Sequence, residues 1–328
     1  MDTRAMIIGE ETVKEFLTVE DAIGCVERTW KWYGEGKVVM PNKITTDMSG
    51  LGVPSWFNSM PAYIGPMDVA GIKVVGGYDD NKKLGLPYIK ATVLLTDSHT
   101  GLLRAVIAGD RINDLRTGAQ PAIMARLLAS KTDVVTIIGT GLQGYMSLLC
   151  MSRVLNIKEV RLSDLSEAAM DRFIARFEAP AFRFVKCRSN EEACRGSDVI
   201  ITVTNANADL VERDWIGAGA LVMTMGSYRE TSFDTVRRAD RIATDHVGQS
   251  LHRGNVKELA EMGEITAESF DIIVPDVLAG KMEGRRSPEE YIYAQIIGTG
   301  MLDVALAGLL LEKLQAAGRT PYLFDMAK

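Results

Sequence analysis

Histidine is nearly absent from this chain, with three in 328 residues. His246 and His252 lie six apart, not at the spacing that sets two ligands on one helical face. With His99 they read as loop and surface residues, and no metal site is expected. Cysteine is almost as sparse: Cys25, Cys150, Cys187 and Cys194 show no CxxC spacing and read as reduced, mostly buried thiols of a cytoplasmic protein. There is no basic excess. A net charge of −6 leaves no electrostatic footprint for nucleic acid or an anionic membrane, so neither is expected as a partner. Long apolar runs are missing too; the most apolar late stretch, Ala305 to Leu311, is short and flanked by Asp303 and Glu312. The N-terminal residues lack a basic region followed by an apolar core, so no secretory signal is expected. With 47% hydrophobic and 24% charged residues, the composition is that of a soluble globular chain with core enough for two domains.

What is present is a stretch from Asp133 to Ser166 around which the rest is arranged. Val134, Val135, Ile137 and Ile138 read as a fully buried parallel strand. Gly139, Thr140, Gly141, Leu142, Gln143 and Gly144 follow at once, then an apolar segment of helical length and a second short strand ending at Asp164, 20 residues after Gly144. Gly139 permits the tight turn, Gly141 lets backbone N–H groups approach a pyrophosphate, and Gly144 lets the helix pack on the strand. The helix N-terminus offers donors and partial positive charge to phosphates. Asp164 would accept from a ribose diol and repel a 2′-phosphate; no Arg directly follows it, so NAD is expected rather than NADP. A glycine turn with no ligand, and a methyltransferase loop, are the competing readings.

Before this stretch, Thr18 to Asp21 resembles a capping box, and Ala22, Ile23, Val26, Trp30 and Tyr33 recur at helical spacing until Gly34 and Gly36. Residues 37–46, 53–58 and 69–77 read as strands, and 88–97 with 102–109 as a hairpin. The first ~115 residues thus form an α+β unit with largely antiparallel strands. Thr117 to Ser130 looks like a bridging helix. Further strands are expected at 182–187, 198–204, 220–225 and 241–245, about six in all, enough for a doubly wound sheet. Met301 to Ala317 reads as an amphipathic helix that crosses back to the N-terminal unit and closes a cleft.

In an open α/β sheet the ligand lies beyond the carboxyl ends of the strands. That nominates Thr204 with its neighbours, and Met225, Gly226 and Ser227, as the floor under a nicotinamide; ordinary strand-to-loop polarity is the plain alternative. Three cations stand out on the substrate side. Lys73 interrupts an apolar strand, Arg116 precedes Thr117-Gly118 at the start of the bridging helix, and Lys43 follows Pro41-Asn42. Each alone reads more readily as a surface or structural cation; beside a nicotinamide domain they suit a small carboxylate substrate.

Ser59 to Tyr63, Gly71 to Lys73, Lys90 to Asp97 with Thr100-Gly101, Leu115 to Ala119, the glycine loop and Gly298 to Asp303 together resemble the ornithine cyclodeaminase/mu-crystallin family over nearly the whole chain. The resemblance implies an α/β protein with a Rossmann-type doubly wound NAD-binding domain (117–303). With it goes an α+β substrate and dimerisation domain (1–116 and 304–328) completed by the C-terminal helix. It implies a homodimer, an active site between the domains, and a carboxylate held by Lys73 and Arg116. Lys43 stands where the family usually has an Arg. Thr92 falls in the family's active-site strand and, with Gly298, is expected at the cofactor. Asp303 is expected to orient the lysine, or else to be a helix-start acid favoured by the macrodipole. Cyclodeaminases of this family resemble one another in an Asp-x-Pro-Gly-Lys-like turn. Here the turn is shorter, with Ser227 nearest and no Pro-Gly-Lys, and a serine without a partner is no general base. The expectation is an NAD-dependent dehydrogenase or imine reductase passing hydride between Cα of a small amino or imino acid and nicotinamide C4. Ornithine cyclodeamination and a non-catalytic, mu-crystallin-like binder are the alternatives. The Arg229-Glu230 turn and the Asp245 to Gln249 stretch resemble more the opine-like members.

Overall fold

The computed structural model describes residues 3–325. The chain divides into two compact units, one of the residues up to Arg116 together with those from Thr299 on, the other Thr117–Gly298. The return to the first unit, expected at 304, comes at Thr299, ahead of the helix Gly300–Ala316.

The first unit is built on a mixed eight-stranded sheet. Its order is Tyr322–Asp325, Arg4–Ile8, Leu103–Ala108, Ile89–Thr96, Val69–Tyr78, Ser55–Ile64 and Val38–Val39, with Ile44–Asp47 also paired to Ser55–Ile64. The pairs are antiparallel except that of Arg4–Ile8 with Leu103–Ala108. The single run expected over 37–46 is two short strands, because Pro41 between them has no N–H to give a ladder. Helix Val19–Gly34 starts at the expected box: Thr18 Oγ1 accepts from the Asp21 N–H at 3.1 Å, and the Asp21 carboxylate accepts from the Thr18 N–H at 2.9 Å. Gly300–Ala316 packs on that helix and on the strands Ser55–Ile64, Val69–Tyr78 and Ile89–Thr96. This last helix is not amphipathic as expected. Met301, Leu302, Val304, Leu306 and Leu310 are buried all round its axis, so it is a core element. A Cβ on Gly300 would stand 2.6 Å from the Met60 carbonyl oxygen, so only glycine lets the helix start this close to the strand.

The second unit carries a parallel sheet of eight strands in the order Arg183–Lys186, Glu159–Ser163, Val134–Ile138, Val199–Thr202, Leu221–Met225, Ile292–Ile296, Arg241–Thr244 and Ile272–Ile273. Two strands beyond the expected six complete it, Ile292–Ile296 and Ile272–Ile273. Strand order reverses at Val134–Ile138, so the crevice favoured for ligands lies between that strand and Val199–Thr202. Among the described residues no helix is long and apolar enough to cross a membrane.

Candidate functional site

In the first unit, strand alternation puts Lys73 on the face covered by the C-terminal helix, with Val69 and Val75. Its register partners Met60 and Val93 are buried there as well. The helix expected to begin at Thr117 begins at Asp110 and runs to Leu128, so Arg116 lies inside it rather than at its start. Asn113 and Arg116, three apart, share one helical face. From the opposite side the first turn of Gly300–Ala316 delivers Asp303. The side chains close a ring. Asp303 Oδ2 lies 2.7 Å from Lys73 Nζ and Asp303 Oδ1 accepts from Arg116 Nε at 3.2 Å. Asn113 Oδ1 accepts from Lys73 Nζ at 3.2 Å and from Arg116 Nη2 at 2.6 Å. Lys73 and Asp303 are fully buried, while the Arg116 side chain keeps 10% of its surface. Burial, then repulsion by Arg116, pull the Lys73 ammonium down from 10.5 to about 7, against the attraction of Asp303.

Of the other residues singled out, Lys43 is half-buried just ahead of Ile44–Asp47, whose pair Ile44↔Ser59 adjoins the pair Met60↔Lys73. Thr92 is exposed and alternates to the opposite face from Val93, so the sheet turns it away from the Lys73 ring. Asn113 escaped the sequence reading. Its only signal was its place one helical turn before Arg116.

In the second unit, the glycine loop closes the crevice. Gly139 sits at φ +99°, and a Cβ there would lie 2.8 Å from Thr204 Cγ2. A Cβ on Gly144 would fall 2.3 Å from the Gly139 carbonyl oxygen, whereas one on Gly141 would meet nothing within 4 Å. So Gly139 and Gly144 are needed for packing and Gly141 borders open space. No side chain caps the N-terminus of Leu142–Val154, and Leu142 in its first turn is exposed. This is what a pyrophosphate cradle requires. Asp164 Oδ2 accepts from the Thr140 N–H at 2.8 Å and from Thr140 Oγ1 at 2.7 Å, and Oδ1 from the Ser166 N–H at 3.0 Å. Partial burial opposes its charge, but these bonds outweigh burial and hold the carboxyl below its usual range. Gly226, at φ +108°, donates its N–H to the Ile296 carbonyl at 3.0 Å, leaving Ser227 exposed. Gly298 donates its N–H to Asp245 at 2.9 Å, and Asp245 also takes the Ile297 N–H and Gln120 Nε2. Three residues past Ser227, Glu230 is fully buried. It accepts from the Thr204 N–H at 2.6 Å and from Thr202 Oγ1 at 3.1 Å. The sequence marked its turn but not the carboxylate's burial.

The profile of the ornithine cyclodeaminase/mu-crystallin family matches residues 3–318. The chain belongs to this family. The alanine dehydrogenase of Archaeoglobus fulgidus is 30% identical over 312 residues, 94% of each chain. The ornithine cyclodeaminase of Brucella abortus is 28% identical over 255 residues, 76% of this chain and 69% of its own. An archaeal alanine dehydrogenase dimer solved with bound NAD is similar at a TM-score of 0.91 and 28% identity, over 98% of this chain and 99% of its own. The expected α/β architecture is therefore the fold of the chain. Family members so similar to it carry names of different reactions, so the choice of reaction depends on the side chains.

Proposed function

We propose that this chain is an NAD-dependent oxidoreductase acting on the CH–NH bond of a small amino acid, interconverting the α-amino acid and its 2-imino acid. The observation that carries this reading is the ring in which Asp303 and Asn113 hold Lys73 and Arg116 together. Two fixed cations and one buried carboxylate leave positive charge when Lys73 is protonated, the complement of a substrate carboxylate. Arg116, the cation of the pair that keeps some exposed surface, meets that carboxylate, and Lys73 acts from behind it. Lys73 Nζ takes up or releases a proton near neutral pH, so the charge behind the arginine follows the pH. Fixing the carboxylate removes orientational freedom at Cα, which lowers the barrier to reaction there.

The loop Gly139–Gly144 would hold the pyrophosphate of NAD, Asp164 its adenine ribose, and Thr204 with the strand end Met225–Ser227 its nicotinamide. When bound, the dinucleotide supplies or accepts the hydride. The NAD-bound alanine dehydrogenase supports this choice of cofactor. Ser227, in place of a carboxylate, favours oxidation and reduction over cyclodeamination, which needs a base for water or for the attacking amine.

The test is a screen of small amino acids with NAD, and of 2-oxo acids with amines and NADH, followed by NADH absorbance. Turnover is expected with a small α-amino acid. Arg116→Leu and Lys73→Met should each lower kcat/KM roughly a hundredfold or more while NADH still binds. A normal rate in either variant removes that residue from the site. Proline and ammonia from ornithine with no net NADH would make the protein a cyclodeaminase, and tight NADH binding without turnover a ligand carrier.

A further inference from the structure

Glu230 is a buried carboxylate that has no ion pair among the described residues. Its two acceptors serve the backbone of Thr204 and the hydroxyl of Thr202, the end of a strand flanking the crevice where strand order reverses. Adjacent Val203 and Thr204 lie directly on the glycine loop, within 3.2 Å of a Cβ on Gly139. The groups bonded to Glu230 are neutral. Asn255 Oδ1 accepts from the Glu230 and Thr231 N–H groups, both at 2.9 Å. The phenol of Tyr293, the titratable neighbour, is bonded to Thr224 Oγ1 at 2.7 Å and kept protonated by burial. Arg229, next in sequence, is engaged by Asp209 and Glu258 and stacks on Phe233. Among the described residues no cation offsets the Glu230 charge.

We infer that Glu230 sets the redox preference of the cofactor site: ionised, its uncompensated charge favours the positively charged oxidised nicotinamide over the neutral reduced ring. The inference rests on the reading of Gly139–Gly144 and the strand ends as the dinucleotide site. Both redox forms carry the same pyrophosphate, so repulsion of the phosphates by Glu230 cancels in the ratio of the two dissociation constants. What remains is the interaction of one buried charge with the ring. Burial pushes the Glu230 carboxyl up to about 7 against its bonds from Thr204 and Thr202, so the effect switches on across neutral pH.

The experiment measures Kd for NADH by fluorescence and for NAD by competition, from pH 6 to 8.5, on the full chain. In the unaltered protein Kd(NAD)/Kd(NADH) should fall about five- to tenfold as the pH rises through this range. Glu230→Gln keeps an acceptor for the Thr204 N–H and a donor toward Thr202, and should abolish that step. Lys73 also titrates near pH 7 but is untouched by this substitution, so a full step in Glu230→Gln refutes the inference. Thr202→Val removes one bond to the carboxylate and should move the step to higher pH; a step left in place refutes it too. Binding of both forms with a flat ratio overturns the role of Glu230 alone. No binding of either form overturns the dinucleotide reading along with it.

Discussion

Lys73 should make the stability of the protein rise with pH across a window where few other groups contribute. In the unfolded chain its ammonium keeps the ordinary 10.5, while in the fold burial and Arg116 lower it to about 7. Between those values the unfolded state binds one proton more than the folded state. Stability therefore rises with pH, by about 1.4 kcal/mol per pH unit. The contribution is complete above 10.5 and is lost as the pH falls to about 7. Integrated from pH 7 to pH 9, it amounts to about 2 kcal/mol. The thiols of Cys25 and Cys194, pushed up to about 12 by burial, oppose it as pH rises beyond their ordinary value of 9. Glu230 acts below the window, because its raised carboxyl titrates by about 7. Lys73→Met retains those groups and keeps Asp303 paired with Arg116, so the difference between the two proteins isolates the lysine. The assay is urea unfolding followed by tryptophan fluorescence, with fully buried Trp30 reporting on this unit. The unaltered protein should gain about 2 kcal/mol on Lys73→Met between pH 7 and pH 9. A difference that stays constant over that range would show that the lysine keeps an ordinary ammonium, and the burial argument would fail.

Gly144→Ala places a Cβ 2.3 Å from the Gly139 carbonyl oxygen. The loop must shift, so a loss of about 1–3 kcal/mol in stability is expected, with weakened NADH binding in calorimetry; unchanged values for both would contradict the packing. Asp164→Ala removes an ionised carboxylate and frees the Thr140 donors. It should weaken NADH binding and narrow the preference over NADPH. Equal affinities before and after would take Asp164 out of the site.

Much of the candidate site was legible because certain positions tolerate few residue types. The turn at Gly139 and the contact at Gly144 exclude side chains, and both glycines could be read with no knowledge of the fold. Lys73 stood out for a related reason, since a charge in an otherwise apolar strand needs a partner. The start of the Arg116 helix was misplaced because Thr117-Gly118 looks like a boundary, whereas Ile112, Leu115 and Ala119 continue one buried face through it. Strand Ile272–Ile273 has two residues, too few for any period to show. Ile292–Ile296 was hidden by Gln295, a polar residue that is fully buried because its side chain accepts from the Val256 N–H and donates to the Ser250 and Arg253 carbonyls. Asn113 and Glu230 failed to show for a different reason. Asn113 gains its role from a lysine 40 residues away, and Glu230 from threonines 26 and 28 residues away. Nothing local shows that either is buried. Their partners stand on strands the local pattern did reveal, but only the order of the strands and the start of the helix at Asp110 bring them together. The parts of the site that rest on backbone sterics can thus be read from the sequence, while the buried polar groups that complete it require the fold.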